Sequence, residues 1–152
     1  MIVWLLGQPG VGKTTLSSLL KKNYMKDALV LDGKDLKYMI NGSEPNEDIL
    51  EHREIRKTDT AQKIAEFLTN KGIDVIVSMN TPFRRQREYF KHKMGRDIVE
   101  IFIKNNNPAE RNGFFFKSFE PPVDNYIDID VSSKSEDESY SELVDKIKLW
   151  TS

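Results

Sequence analysis

Apolar and β-branched residues gather in five runs along the chain: Ile2–Leu6, Ala28–Asp32, Ile73–Ser78, Ile98–Ile103 and Tyr126–Val131. The first four are almost continuously hydrophobic, the pattern of strands buried on both faces of a parallel sheet. The fifth alternates with aspartate, which predicts a shorter strand near an edge. Between the runs, apolar positions recur at helical spacing. Lys13–Tyr24 carries Leu16, Leu19 and Leu20 on one face, and Asp48–Lys71 turns Ile55, Ala61, Ile64, Ala65, Phe67 and Leu68 inward. Leu36–Asn41 is a short helix. Phe83–Met94 and Glu138–Trp150 follow the same period, the latter docking through Tyr140, Leu143, Val144, Ile147 and Trp150, while Trp4 reads as core. Strands alternating with helices predict a doubly wound α/β sheet with right-handed crossovers.

Between the first strand and the first helix stands Gly7-Gln8-Pro9-Gly10-Val11-Gly12-Lys13-Thr14, followed by Thr15. Glycines at this spacing let successive backbone N–H groups converge on one anion, and the following helix adds its unpaired amides and positive dipole end. Lys13 is expected between the β- and γ-phosphates of a nucleotide, and Thr14 on Mg²⁺. The strand–loop–helix context therefore predicts a three-layer α/β/α P-loop NTPase fold with a mostly parallel five-stranded sheet. No Asn/Thr-Lys-x-Asp element for reading guanine is visible, so ATP is the expected nucleotide.

The second run ends Leu31-Asp32-Gly33-Lys34-Asp35. A carboxylate at this strand edge, beside the loop, faces the γ-phosphate, where it can hold a metal-bound water or accept a proton from an attacking hydroxyl. Asp32 and Asp35 are the candidates for that catalytic role, with Asp32 also a metal ligand beside Thr14. Capping of the helix that follows is the competing use of either residue.

The 152 residues suit one domain able to bury a core without staples, and the polar stretches at 41–47, 105–108 and 132–137 are too short to divide it. There is no cysteine, hence no disulfide and no thiol chemistry, which fits a reducing, cytoplasmic setting. The first residues are expected to form a core strand and not a leader, and with no apolar run of about 20 residues no membrane span is expected. His52 and His92 are isolated, which gives no basis for a structural metal. The stretch from Arg84 to Arg96 is strongly basic. It reads either as a solvated helix face or as a helix whose first arginines, Arg84 and Arg87, meet an oxyanion. The net charge of −1 leaves nucleic acid as the lesser alternative partner. Phe114-Phe115-Phe116 cannot all face one core, so stacking on a purine competes with packing on the sheet edge.

These segments, taken in order, resemble the adenylylsulfate (APS) kinase family. The likeness runs through Val3–Gly7 and the loop, Leu31–Asn41, Glu54-Ile55-Arg56-Lys57, Val77–Arg84 with Arg87, Glu100–Ile103 and Phe119-Glu120-Pro121-Pro122. It implies transfer of the γ-phosphate of ATP to the 3′-hydroxyl of adenylylsulfate, a small anionic nucleotide-like substrate, by one kinase domain with a lid over about 105–122. It also implies that Lys37, Arg56 and Arg84 approach the substrate, that Thr81, Pro82 and Phe83 shape its pocket, that Arg53 replaces a substrate-binding arginine after a local shift, that Arg111 is the lid arginine near ATP, and that the protein is a homodimer; Phe115 is the candidate for the purine-stacking ring of the triplet. Several features depart from the family pattern. Lys34 stands where the second acid of its DGD would be, with Asp35 one position late, Glu51 where its substrate-binding arginine aligns, Glu54 where it has asparagine, and the lid is shortened.

Overall fold

The computed structural model describes residues 1–40, 50–107 and 115–152. Among these, the strands are β1 (Ile2–Leu6), β2 (Leu29–Asp32), β3 (Val75–Ser78), β4 (Ile98–Lys104) and β5 (Ile127–Asp130), and they form one sheet in the order β2-β3-β1-β4-β5. Every pairing is parallel. β1 sits at the centre, with Leu5 opposite Ser78 of β3 on one side and Ile101 of β4 on the other. A central strand must bury both faces, and all five residues of β1 are buried.

The helices are α1 (Lys13–Asn23), α2 (Gly33–Ile40), α3 (Leu50–Asn70), α4 (Arg84–Met94) and α5 (Glu136–Thr151). Side chains alternate across a strand, and β1 shows the consequence. Val3 and Leu5 pack with Leu16 and Leu20 of α1 and Leu143 and Ile147 of α5. Ile2, Trp4 and Leu6 pack on the opposite face with Leu36 of α2, Ala61 and Ala65 of α3 and Phe90 of α4. The result is the expected α/β/α sandwich. Ser135 starts α5 with a capping box, its hydroxyl accepting from the Glu138 amide while the Glu138 carboxylate accepts from the Ser135 amide.

Several expectations fail, each for a positional reason. β2 was expected to be buried on both faces, but it lies at the sheet edge, and Leu29 and Val30 are exposed. On α3, Ile55 and Phe67 point outward, with Phe67 61% exposed, because the buried stripe is Glu54, Thr58, Ala61 and Ala65. Trp150 does not dock α5 and is 41% exposed; Leu143, Val144 and Ile147 do so. Helix α2 starts at Gly33, three residues before the expected Leu36, because Asp32 and Asp35 cap it.

Two buried cations fix the loop that follows β4. Arg87, expected at an oxyanion, is buried and donates through Nη1 to the Thr81 carbonyl at 2.8 Å and through Nη2 to the Glu120 carbonyl. Lys91 lies 3.4 Å from the buried Glu100 and donates to the Asp124 carbonyl at 3.1 Å. Burial pushes the Glu100 carboxyl above its ordinary range, and Lys91 and Arg87 pull it back. Phe119 is held between the ring of Phe102, stacked at 5.7 Å, and the Arg87 guanidinium, also at 5.7 Å. This face of the basic helix is therefore internal scaffolding rather than a solvated surface.

Candidate active site

Residues 7–15 join the centre of the sheet to α1 and adopt the shape that their glycines permit. Gly7 has φ 151°, and a Cβ there would lie 2.2 Å from the Ile103 carbonyl oxygen, so no other residue fits. Gly12 has φ 108° and precedes α1 without a side-chain cap, and the first turn of α1 holds no acid. The amides at this helix start are thus left for an external anion.

Lys13 is buried, and its Nζ donates to the carbonyls of Gly7 at 2.9 Å and Gln8 at 2.7 Å. Burial lowers its pKa to about 8, while Asp32 and Glu54 pull the other way. A buried ammonium whose charge is this poorly compensated is a site for an added anion such as a phosphate chain.

Asp32 makes two contacts, one of them the helix cap that the sequence left open. Its Oδ1 accepts from the Lys34 amide at 3.0 Å, which caps α2, and its Oδ2 accepts from the Thr14 hydroxyl at 2.9 Å. Asp35 completes the box: its Oδ2 accepts from the Asp32 amide at 3.0 Å. So Asp32 faces the loop, and Asp35 holds Asp32 in place. A hydroxyl and a carboxylate oxygen side by side are hard ligands that suit Mg²⁺, which takes few protein ligands and keeps waters and phosphate oxygens. Among the described residues no cluster of three or more acidic, histidine or cysteine side chains offers a denser metal site.

Lys13, Thr14 and Asp32 open on a cleft of about 230 Å³ that also receives Lys34, Lys57 and Glu54. Glu54 is buried and lies 3.5 Å from Lys57. Sequence reading did not place it in the site, although its register with Thr58, Ala61 and Ala65 on the buried stripe could have located it. A second recess, of about 260 Å³, lies behind Gly10, Gly12 and Thr15 and is bounded by Asn105, Val131 and Lys134. A third, of about 480 Å³, runs from Gln8 and Val11 to Phe102, Phe115, Phe116 and Tyr126. The loop is common to all three.

The remaining expected residues are placed as follows. Lys37 and Arg53 are exposed on α2 and α3, and Arg56 is half-buried on α3. Thr81 is buried in the left-handed region at φ 49°; its hydroxyl accepts from Trp4 Nε1 at 2.8 Å. Pro82 is buried, and its carbonyl accepts from the Glu120 amide at 2.8 Å. Arg84 directs Nε and Nη2 to the Pro121 carbonyl at 3.2 and 2.8 Å, so its fork grips the 119–122 segment. Phe83 meets Phe116 edge to face, with centroids 6.0 Å apart. Of the two described phenylalanines of the triplet, Phe116 is buried and Phe115, the expected substrate contact, is half exposed. Phe114 and the expected nucleotide contact at Arg111 lie outside the described residues. No described helix is long and apolar enough to cross a membrane.

The family model described as adenylylsulphate kinase matches residues 1–113. An adenylyl-sulfate kinase of Pseudomonas aeruginosa is 30% identical over 139 residues, covering 85% of this chain and 68% of its own. Another, of Aeromonas salmonicida, is 27% identical over 107 residues, covering 68% of this chain and 53% of its own, so the match spans about half the length of that relative. In fold, the chain is similar to the Mycobacterium tuberculosis APS kinase CysC solved in complex with AMPPNP and APS, with a TM-score of 0.75 at 20% identity over 97% of this chain and 96% of that one.

Proposed function

The chain belongs to the adenylylsulphate kinase family, and from that premise we propose that it transfers the γ-phosphoryl group of ATP to the 3′-hydroxyl of adenylylsulfate. The observation that carries the reading is the Thr14–Asp32 hydrogen bond beside the buried ammonium of Lys13, which sets a cation, a hydroxyl and a carboxylate at one end of a phosphate-shaped loop. The amides of residues 10–14 bind the phosphates, and Lys13 neutralises charge that moves toward the leaving ADP. The Asp32 carboxylate takes the proton of the acceptor hydroxyl as its oxygen bonds to the γ-phosphorus and the bond to the β–γ bridging oxygen breaks. Mg²⁺, held by Thr14 and Asp32, would supply charge neutralisation between the phosphates.

The recess beside Gly12, Asn105 and Val131 takes the ATP base. The half-buried ring of Phe83, backed edge to face by the buried ring of Phe116, forms the aromatic wall for the acceptor purine, and the segment carrying Phe116 is kept in reach by the Arg84 and Arg87 contacts to residues 120 and 121. Lys34 and Lys57 at the cleft favour a second reading, in which the acceptor is the hydroxyl of a more highly charged nucleotide or polynucleotide end.

Incubation with γ-labelled ATP, Mg²⁺ and, in turn, adenylylsulfate, nucleotides and DNA separates the two. Label on adenylylsulfate alone is expected. Label on a nucleotide or on DNA, with none on adenylylsulfate, would transfer the assignment to the second reading. The homodimer implied by the resemblance is tested by sedimentation.

A further inference from the structure

Gln8 belongs to the phosphate loop, but its side chain pairs with a residue 108 positions away. Oε1 accepts from the Phe116 amide at 2.8 Å, and Nε2 donates to the Phe116 carbonyl at 2.9 Å. A primary amide matched in this way to both backbone groups of one residue has a single satisfied orientation. Among the described residues, 115–122 form no strand or helix, and this pair supplies the kind of backbone pairing that a ladder would. The ring so anchored is the one that meets Phe83. The backbone carbonyl of Gln8 in turn accepts from Lys13 Nζ at 2.7 Å. One residue is therefore bonded to the phosphate-neutralising lysine through its backbone and to the aromatic wall through its side chain.

We propose that Gln8 is a positioning residue that fixes the aromatic wall of the acceptor pocket from the donor loop. This rests on the acceptor reading above. Without the amide, Phe116 must be ordered anew by each acceptor molecule, and that ordering weakens acceptor binding. The backbone of residue 8 stays in the loop, so ATP binding is spared.

Gln8→Met keeps the length and removes both hydrogen bonds. Calorimetry with adenylylsulfate in the presence of AMPPNP should show binding weakened by about tenfold. AMPPNP alone should bind within about twofold of the unmodified protein, since no contact of the loop backbone is removed. Exchange of the Phe116 amide should accelerate. Gln8→Glu adds a readout that loose packing would not move. Its carboxylate accepts from the Phe116 amide but has no proton for the carbonyl, whereas the neutral acid restores both bonds. Its acceptor defect, relative to the unmodified protein at the same pH, should be present near pH 7.5 and shrink by about pH 5.

Equal weakening of both ligands, an unaffected acceptor, or a Gln8→Glu defect that ignores acidification overturns the proposal. If the unmodified protein fails to bind adenylylsulfate, the acceptor reading falls by itself. The clamp is then judged on exchange: faster exchange at Phe116 in Gln8→Met supports it, and unchanged exchange rejects it.

Discussion

Raising the pH from about 7 to about 9 should weaken Mg-ATP binding by about tenfold and make binding take up a proton. The cause is Lys13. Burial brings its pKa from 10.5 to about 8, although Asp32 and Glu54 favour the charged form. At a pH of about 7 nearly all of the nucleotide-free protein carries the ammonium, whereas about one molecule in ten does at about pH 9. Phosphates stabilise the ammonium, so the complex holds the proton that the free protein has lost. Affinity then falls by up to about tenfold per pH unit above about 8, which is about 1.4 kcal/mol. The sign for folding is the reverse. Between about 8 and 10.5 the unfolded chain binds more protons than the folded one, so the nucleotide-free protein should gain up to about 3 kcal/mol relative to Lys13→Met across that window. Calorimetry in buffers of different ionisation heat measures the uptake, and Lys13→Arg, which cannot lose its charge, should show none. Affinity that stays flat from about pH 7 to 9, with no proton uptake in the unmodified protein, would refute this reading of Lys13.

Other substitutions probe separate parts of the structure. Asp32→Asn should lower transfer by about 10²–10⁴-fold in steady-state assays, since it removes the proton acceptor and a metal ligand together. Gly7→Ala drives a methyl group into the Ile103 carbonyl 2.2 Å away, and the loss of loop geometry should appear as greatly weakened ATP binding with a lowered melting temperature. Glu100→Ala leaves Arg87 and Lys91 buried without their shared carboxylate and should destabilise the fold by about 3–5 kcal/mol in denaturant titrations. Arg84→Ala frees the segment at Pro121 and should raise the acceptor KM with little change in that for ATP.

The phosphate loop and β1 were legible because both are local patterns: a continuous apolar strand, then glycines at fixed offsets, then a helix. The exposure of β2 was not, because an edge position depends on strand order, and Leu29-Val30-Leu31 looks the same at an edge as in the middle. Charged residues default to the surface, so the burial of Arg87, Lys91 and Glu100 could not be read from one helix and one strand taken separately. It is a long-range bargain between α4, β4 and the carbonyls of residues 120 and 124. Asp32 stood out in the sequence as a candidate, yet its contacts as cap and as partner of Thr14 needed the three-residue geometry of the α2 start. Gln8 gave no local signal, because its partner lies 108 residues away. The triplet of phenylalanines left purine stacking and packing open, and it did not show that Phe116 rather than Phe115 is buried.

The most direct measurement is a ¹⁵N chemical-shift titration of the protein with Mg-ATP. Saturable shifts concentrated at the amides of Gly10, Gly12, Lys13, Thr14 and Thr15, lost in Lys13→Met, are the expected result. Amides of the loop that do not move at millimolar Mg-ATP, or shifts that centre on another part of the sheet, would contradict it.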